Sequence, residues 1–260
     1  MATRRLDRQL GAAVTHDEGL AKVTQVRILL AHCVSLSARE GLAALLSELC
    51  TLAGWQALDV GQPVKAWRYY TEAFNTATSC PNAAFAAHSA AGQAFTLIDL
   101  GNTSEAVELL AATRRQAASK TSHLMRSWLA AAHGEALAAD GRKTECQRAF
   151  DYAETFFPDA PSVEEGPYVV LDSVHLSRWR GHALARLGDA AAVDVLASAL
   201  DRLDPTFTRA EVGLRVDLAT AFKQLGEIDA AREQAKAARQ SAAAIGSARQ
   251  LTRLQRLAVV

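Results

Sequence analysis

Two histidines, His175 and His182, stand seven residues apart and come nearest in this chain to a chemical motif. On a helix that spacing puts both rings on one face, about 10 Å apart along the axis. Two ligands of one metal on a straight helix need i, i+4 spacing instead. His133 and Glu135 project in different directions, and Asp201 and Asp204 fall near a helix end where water solvates them. The four cysteines, Cys33, Cys50, Cys80 and Cys146, form no C-x-x-C and have no histidine at zinc-site spacing. They read as small buried apolar side chains in a reducing cytoplasm. There is no phosphate-binding loop, no G-x-G-x-x-G behind a strand and no H-E-x-x-H. The expected class is a binding protein, not an enzyme, with no cofactor and no metal.

The elements that position these side chains form a repeat. Glycines at 61, 101, 141, 188 and 226 read as helix-ending turns, spaced 40, 40, 47 and 38 residues apart. Seven residues before each stands a small residue: Gly54, Ala94, Gly134, Gly181 and Ala219. After each comes another: Ala66, Ala106, Cys146, Ala192 and Ala231. Small residues at both points let paired helices approach closely. Tyr70, Leu110, Phe150 and Leu196, four positions further on, fill the gap, and the fifth repeat has only Ala235. One helix pair cannot bury its apolar face alone, so the pairs must stack.

Stacking turns scattered residues into a surface. The first helix of each pair lines the concave side, and alignment on the turn glycines brings one set of residues there. It comprises Glu48, Trp55 and Asp59, then His88, Phe95 and Asp99, then Trp128 and Glu135, then His175, Arg178 and His182, then Thr220 and Lys223. Large aromatics supply apolar area and the charged groups supply orientation, the mixture a ligand site needs. Arg178 and Lys223 suit a carboxylate. Acidic groups gather in the first three pairs and basic ones in the last two, a gradient that a peptide lying along the groove would feel.

The flanks read differently. Residues 1–14 suggest a frayed tail. T-x-x-E at Thr15–Glu18 is a capping box for a helix over 16–35, and Ser37 with Glu40 opens the next. FPDAPSVEEGPY, residues 157–168, holds three of the six prolines and reads as a longer connection rather than a lip over the groove. At the C-terminus, Leu251, Leu254 and Leu257 share one face with arginines opposite, as a capping helix with a polar outer side would have.

Composition agrees. Half of the 260 residues are hydrophobic and only 6% aromatic, which suits an alanine-rich helical stack. With 28 basic and 28 acidic residues the formal net charge is zero, which argues against direct nucleic acid contact. No stretch approaches the roughly 20 apolar residues of a membrane span, so a cytoplasmic protein is expected.

The small–small–aromatic–small pattern resembles the tetratricopeptide repeat (TPR), with a period nearer 40 residues than the family's roughly 34. The expected fold is all-α: a right-handed α-solenoid of five TPR-like helix pairs, an N-terminal extra helix and a C-terminal capping helix. Its parts are 1–40 (tail and extra helix), 41–247 (pairs at about 41–80, 81–120, 121–160, 161–206 and 207–247) and 248–260 (cap). LAGWQALDVGQPVKAWRYYTEA (52–73), RGHALARLGD (180–189) and DPTFTRAEVGLRVDLATAFKQLGEIDAAREQAKAA (204–238) further resemble the repeat region of actinobacterial helix-turn-helix transcriptional regulators. Residues 1–40 are too short for the DNA-binding domain of that group, so DNA contact is not carried over. The resemblance implies a regulatory module that senses a peptide or small-molecule effector in its groove, contacts protein partners and forms a homodimer. The alternative is a structural adaptor or dimerisation scaffold with no small ligand.

Overall fold

The computed structural model describes residues 2–158 and 166–258. These form thirteen helices: α1 Ala2–Leu10, α2 Ala12–His32, α3 Leu36–Asp59, α4 Pro63–Ala77, α5 Ala84–Leu100, α6 Thr103–Ala117, α7 His123–Ala139, α8 Lys143–Thr155, α9 Ser173–Arg186, α10 Ala192–Arg202, α11 Thr208–Gln224, α12 Ile228–Ala244 and α13 Ala248–Leu257. From α3 to α12 they pair in order, giving the all-α solenoid of five helix pairs. All five turn glycines adopt positive φ, between 70° and 85°.

Close packing inside each pair follows from the small residues. The interior is dominated by alanines with almost no exposure, among them Ala66, Ala94, Ala106 and Ala231. Tyr70, Leu110, Phe150 and Leu196 are the fully buried bulk between them. Each is worth about 1.5–3 kcal/mol of burial. Gly54, Gly92, Gly134 and Gly181 make room for that bulk. A Cβ on Gly92 would fall 2.2 Å from the Tyr70 ring, and one on Gly134 would fall 2.6 Å from the Phe150 ring.

The stack is not an open arc. The inner helices α3, α5, α7, α9, α11 and α13 each touch the next, and α13 also touches α3, so the six form a ring. Ser247, capping α13, donates to Asp59 Oδ1 of α3 at 2.6 Å. The C-terminal helix therefore does more than cap. Leu254 is buried with Val212 and Val216 of α11, while Arg249 and Arg253 turn into the ring interior half-buried and Arg256, though exposed, lines the cavity's edge.

Other expectations need correction at the N-terminus. Residues 2–10 are a helix, not a frayed tail, and α1 packs against α2 and α11. Thr15 caps nothing, because α2 starts behind Gly11. Its hydroxyl is buried 3.1 Å from Asp7 Oδ1. The cap of α3 is Ser35, accepting from the Ala38 amide, rather than Ser37. Also against expectation, the 24 residues of α3 are long and apolar enough to cross a membrane by length and composition. Their apolarity has a local cause: Leu46, Cys50, Ala57 and Leu58 are buried among α2, α4 and α5.

Candidate functional site

The ring surrounds a cavity of about 740 Å³ that is half open to solvent. Ten residues expected on the inner face line it: Trp55, Asp59, His88, Phe95, Asp99, Trp128, Glu135, His175, Arg178 and His182. Thr220 joins them. Lys223 does not, because its Nζ donates to the Leu257 carbonyl of α13 at 2.5 Å. Glu48 lies behind the wall, paired with Arg4 of α1 at 2.5 Å.

One side of the cavity is aromatic. The ring of Trp128 meets Phe95 at 6.2 Å and Trp179 at 5.7 Å, and Phe95 meets Trp179 at 5.9 Å. His88 abuts Trp128 edge-on at 5.0 Å. Burial in this apolar setting pushes the His88 pKa down to about 4, so its imidazole is neutral at pH 7. Trp55 stands across the ring with the guanidiniums of Arg209 and Arg249 each within 6 Å of its centre.

The acidic-to-basic gradient is consumed by ring closure and does not run along an open groove. Asp99 of α5 takes two hydrogen bonds from Arg249 of α13, at 2.6 and 2.8 Å. Asp7 of α1 takes two from Arg209 of α11, at 2.9 and 3.1 Å, and a third from Gln56 Nε2 of α3 at 2.9 Å. Arg209 Nε also lies 3.4 Å from Asp59 Oδ2, a charge contact without hydrogen-bond alignment. His182 is held at both ring nitrogens, Nε2 by Glu135 at 3.0 Å and Nδ1 by Asp217 at 2.7 Å. Burial disfavours its charged form, but the carboxylates, Asp217 ahead of Glu135, outweigh burial and raise its pKa. Burial alone would raise the Asp217 pKa, yet His182 and Arg253 together hold it well below the ordinary carboxylate range.

All five carboxylates of the lining are therefore ion-paired, against eight arginines. Among the described residues, Arg8, Arg178, Arg186 and Arg256 have no ion pair, and Arg8 rests instead on the Phe207 ring at 4.4 Å. Pairing between neighbouring helices and across the closure has used the negative charges and left positive ones.

Several lining residues escaped the sequence reading. Arg4, Asp7 and Arg8 share one face of α1 at i, i+3, i+4 spacing, a signal hidden by treating the segment as a tail. Arg249, Arg253 and Arg256 share one face of α13 in the same way, and Trp179 follows Arg178 directly. Residues 159–165 of the proline-rich connection lie outside the described residues. The part that follows does reach the cavity, contrary to its reading as a mere connection. Tyr168 donates its amide to Glu48 Oε1 at 3.1 Å, and Val169 and Val170 line the wall. Of the cysteines, Cys50 and Cys146 are buried and burial raises both pKa values to about 12, while Cys33 and Cys80 are half-buried.

No family profile matches the chain, and no curated protein matches it. Among solved structures it is similar to a Podosopora anserina protein described as a kinesin light chain with nearly identical TPR-like repeats. That likeness has 16% identity and a TM-score of 0.47, over 74% of this chain and 92% of the other. The TPR domain of P58(IPK) aligns at 13% identity and a TM-score of 0.36, over 98% of this chain and 77% of the other. The repeat architecture stands on this chain's own helix pairs.

Proposed function

We propose that this chain is a non-enzymatic binding module that encloses an effector within its ring and reports occupancy through the contacts that close the ring. The half-open central cavity of about 740 Å³ carries this reading. It falls in the range of roughly 300–1,000 Å³ that takes small ligands. Three of the four tryptophans line it, beside arginines that lack a carboxylate. Arg209 and Arg249 both line the cavity and close the ring, so a ligand that touches them favours one state of closure over another. Catalysis is disfavoured at the best-placed base, His182, because carboxylates occupy both of its nitrogens. The resemblance of residues 52–73 and 204–238 to regulator repeat regions supports effector sensing coupled to a DNA-binding partner or domain.

Native mass spectrometry of the purified protein tests this directly, followed by isothermal titration of what it carries against Trp128→Ala and Arg178→Ala. A retained small molecule or short peptide is expected, bound at least tenfold more weakly by one variant or both. Unchanged affinity in both removes the cavity as the site.

A second reading, an adaptor that docks proteins or a second copy of itself, is favoured by one observation. Ile28, Leu29, Val34 and Leu36 on α2, α3 and the link between them are 56%, 50%, 98% and 74% exposed. Light scattering checks it, and a monomer at every concentration counts against self-association.

A further inference from the structure

The cavity's unpaired donors converge on one spot. Arg178 Nη1 of α9 and Gln250 Nε2 of α13 each lie 3.9 Å from the point where a Cβ on Gly213 of α11 would stand. Because Gly213 has no side chain, nothing of α11 stands between the two donors and the cavity, which all three residues line. The orientation of Gln250 is set from the other side: its Oε1 accepts from Arg253 at 3.1 Å, which turns Nε2 toward Gly213. Among the described residues Arg178 makes no hydrogen bond or ion pair, and its buried Nε has no partner. A half-buried guanidinium with no anion in contact is costly to keep. The neighbouring carboxylates favour its charge only from a distance: Glu135 and Asp217 are engaged by His182, and Asp217 also by Arg253, so neither gives it a direct partner. Two N–H donors beside a glycine form a seat for an acceptor, and an anion there gives the guanidinium the direct partner it lacks.

We propose that the ring takes a small organic anion, its carboxylate or phosphate group seated at Gly213 between Arg178 and Gln250 and its apolar part against Trp128 and Trp179. This rests on the reading of the cavity as a ligand site and names the chemistry of its occupant. The requirement for charge distinguishes it from a purely apolar pocket.

The test uses four matched probes in isothermal titration with the full chain: 2-naphthoate, 2-naphthyl phosphate, neutral 2-naphthamide and cationic 2-naphthylmethylammonium. Both anions are expected to bind at least tenfold more tightly than the amide, with the ammonium weakest, and the tighter anion identifies the preferred group. Arg178→Gln should abolish the preference for anions. Gly213→Ala provides a second variant that does not depend on removing a charge. Its methyl meets nothing closer than 3.9 Å, so the fold is retained, while the seat is filled and anion affinity falls at least tenfold. Equal binding of acid and amide overturns the anion seat and leaves the ligand cavity standing. So does an anion preference untouched by both variants. Binding of none of the four overturns the seat, and the broader reading falls with it only if native mass spectrometry also finds the protein empty.

Discussion

Asp99 and Arg249, 150 residues apart in sequence, meet in two parallel hydrogen bonds across the ring. Each side chain is only about one-fifth exposed, at 22% and 21%. The pair joins the second helix pair to the last helix and so measures whether the ring is closed.

Replacing Asp99 by Ala should therefore cost about 2–3 kcal/mol, because it strands a half-buried guanidinium. Arg249→Ala should cost a similar amount. The double variant should be less destabilised than the sum by about 1 kcal/mol or more. Urea unfolding of the four proteins gives the coupling, and strict additivity would mean that the pair does not form in solution.

Asp7→Ala should destabilise more strongly, by about 3–5 kcal/mol, since it leaves Arg209 buried and opens the Thr15–Gln56 network. The exposed pair Arg27–Glu72, at 48% and 32% exposure, is the control. Arg27→Ala should cost about 0–1 kcal/mol. Equal effects would show that α1 does not dock on α11.

Gly92→Ala and Gly134→Ala force a methyl into the Tyr70 and Phe150 rings and should each cost about 1–3 kcal/mol. At Gly41 a Cβ would meet nothing within 4 Å. Gly41→Ala should thus be stabilising by about 0.5–1 kcal/mol through helix propensity. Thermal unfolding ranks the three.

Protonation should weaken the fold in mild acid. His88 has its pKa lowered to about 4 by burial, so below the unfolded value of about 6.5 the unfolded chain binds the proton more readily. Stability is full above pH 6.5 and is lost as pH falls toward 4, by about 3 kcal/mol for this residue. His133, also held at about 4 by burial and then by Arg114, acts in the same direction. His182 acts oppositely, since its raised pKa gives stability that is lost as pH rises through that value. Between pH 6.5 and 4, His88→Gln should remove close to one proton from the pH slope of unfolding free energy. An unchanged slope would place His88 in water.

The helix pairs were legible because their signals are local. Gly101 needs its left-handed φ whatever surrounds it, and Ala66 and Tyr70 are chosen by the partner helix next in sequence. The inner-face positions of Trp55, His88, Trp128 and His182 follow from the same register. Closure was not legible. It depends on small rotations between successive pairs adding up, and on contacts such as Asp7 with Arg209 that link residues 202 apart. Lys223 was misplaced for a more local reason, since the last helix packs on α11 and brings the Leu257 carbonyl to it.

Closure also changes how the protein should come apart. A linear array can fray from its terminal repeats, because each repeat depends only on its neighbours. Here α13 is fastened to α3, and α1 to α11, so the end repeats gain support that an open array lacks. Loss of any one pair breaks the circle and removes support from all the others. Unfolding should be a single cooperative transition, and the last and slowest event in folding should be the meeting of the two ends.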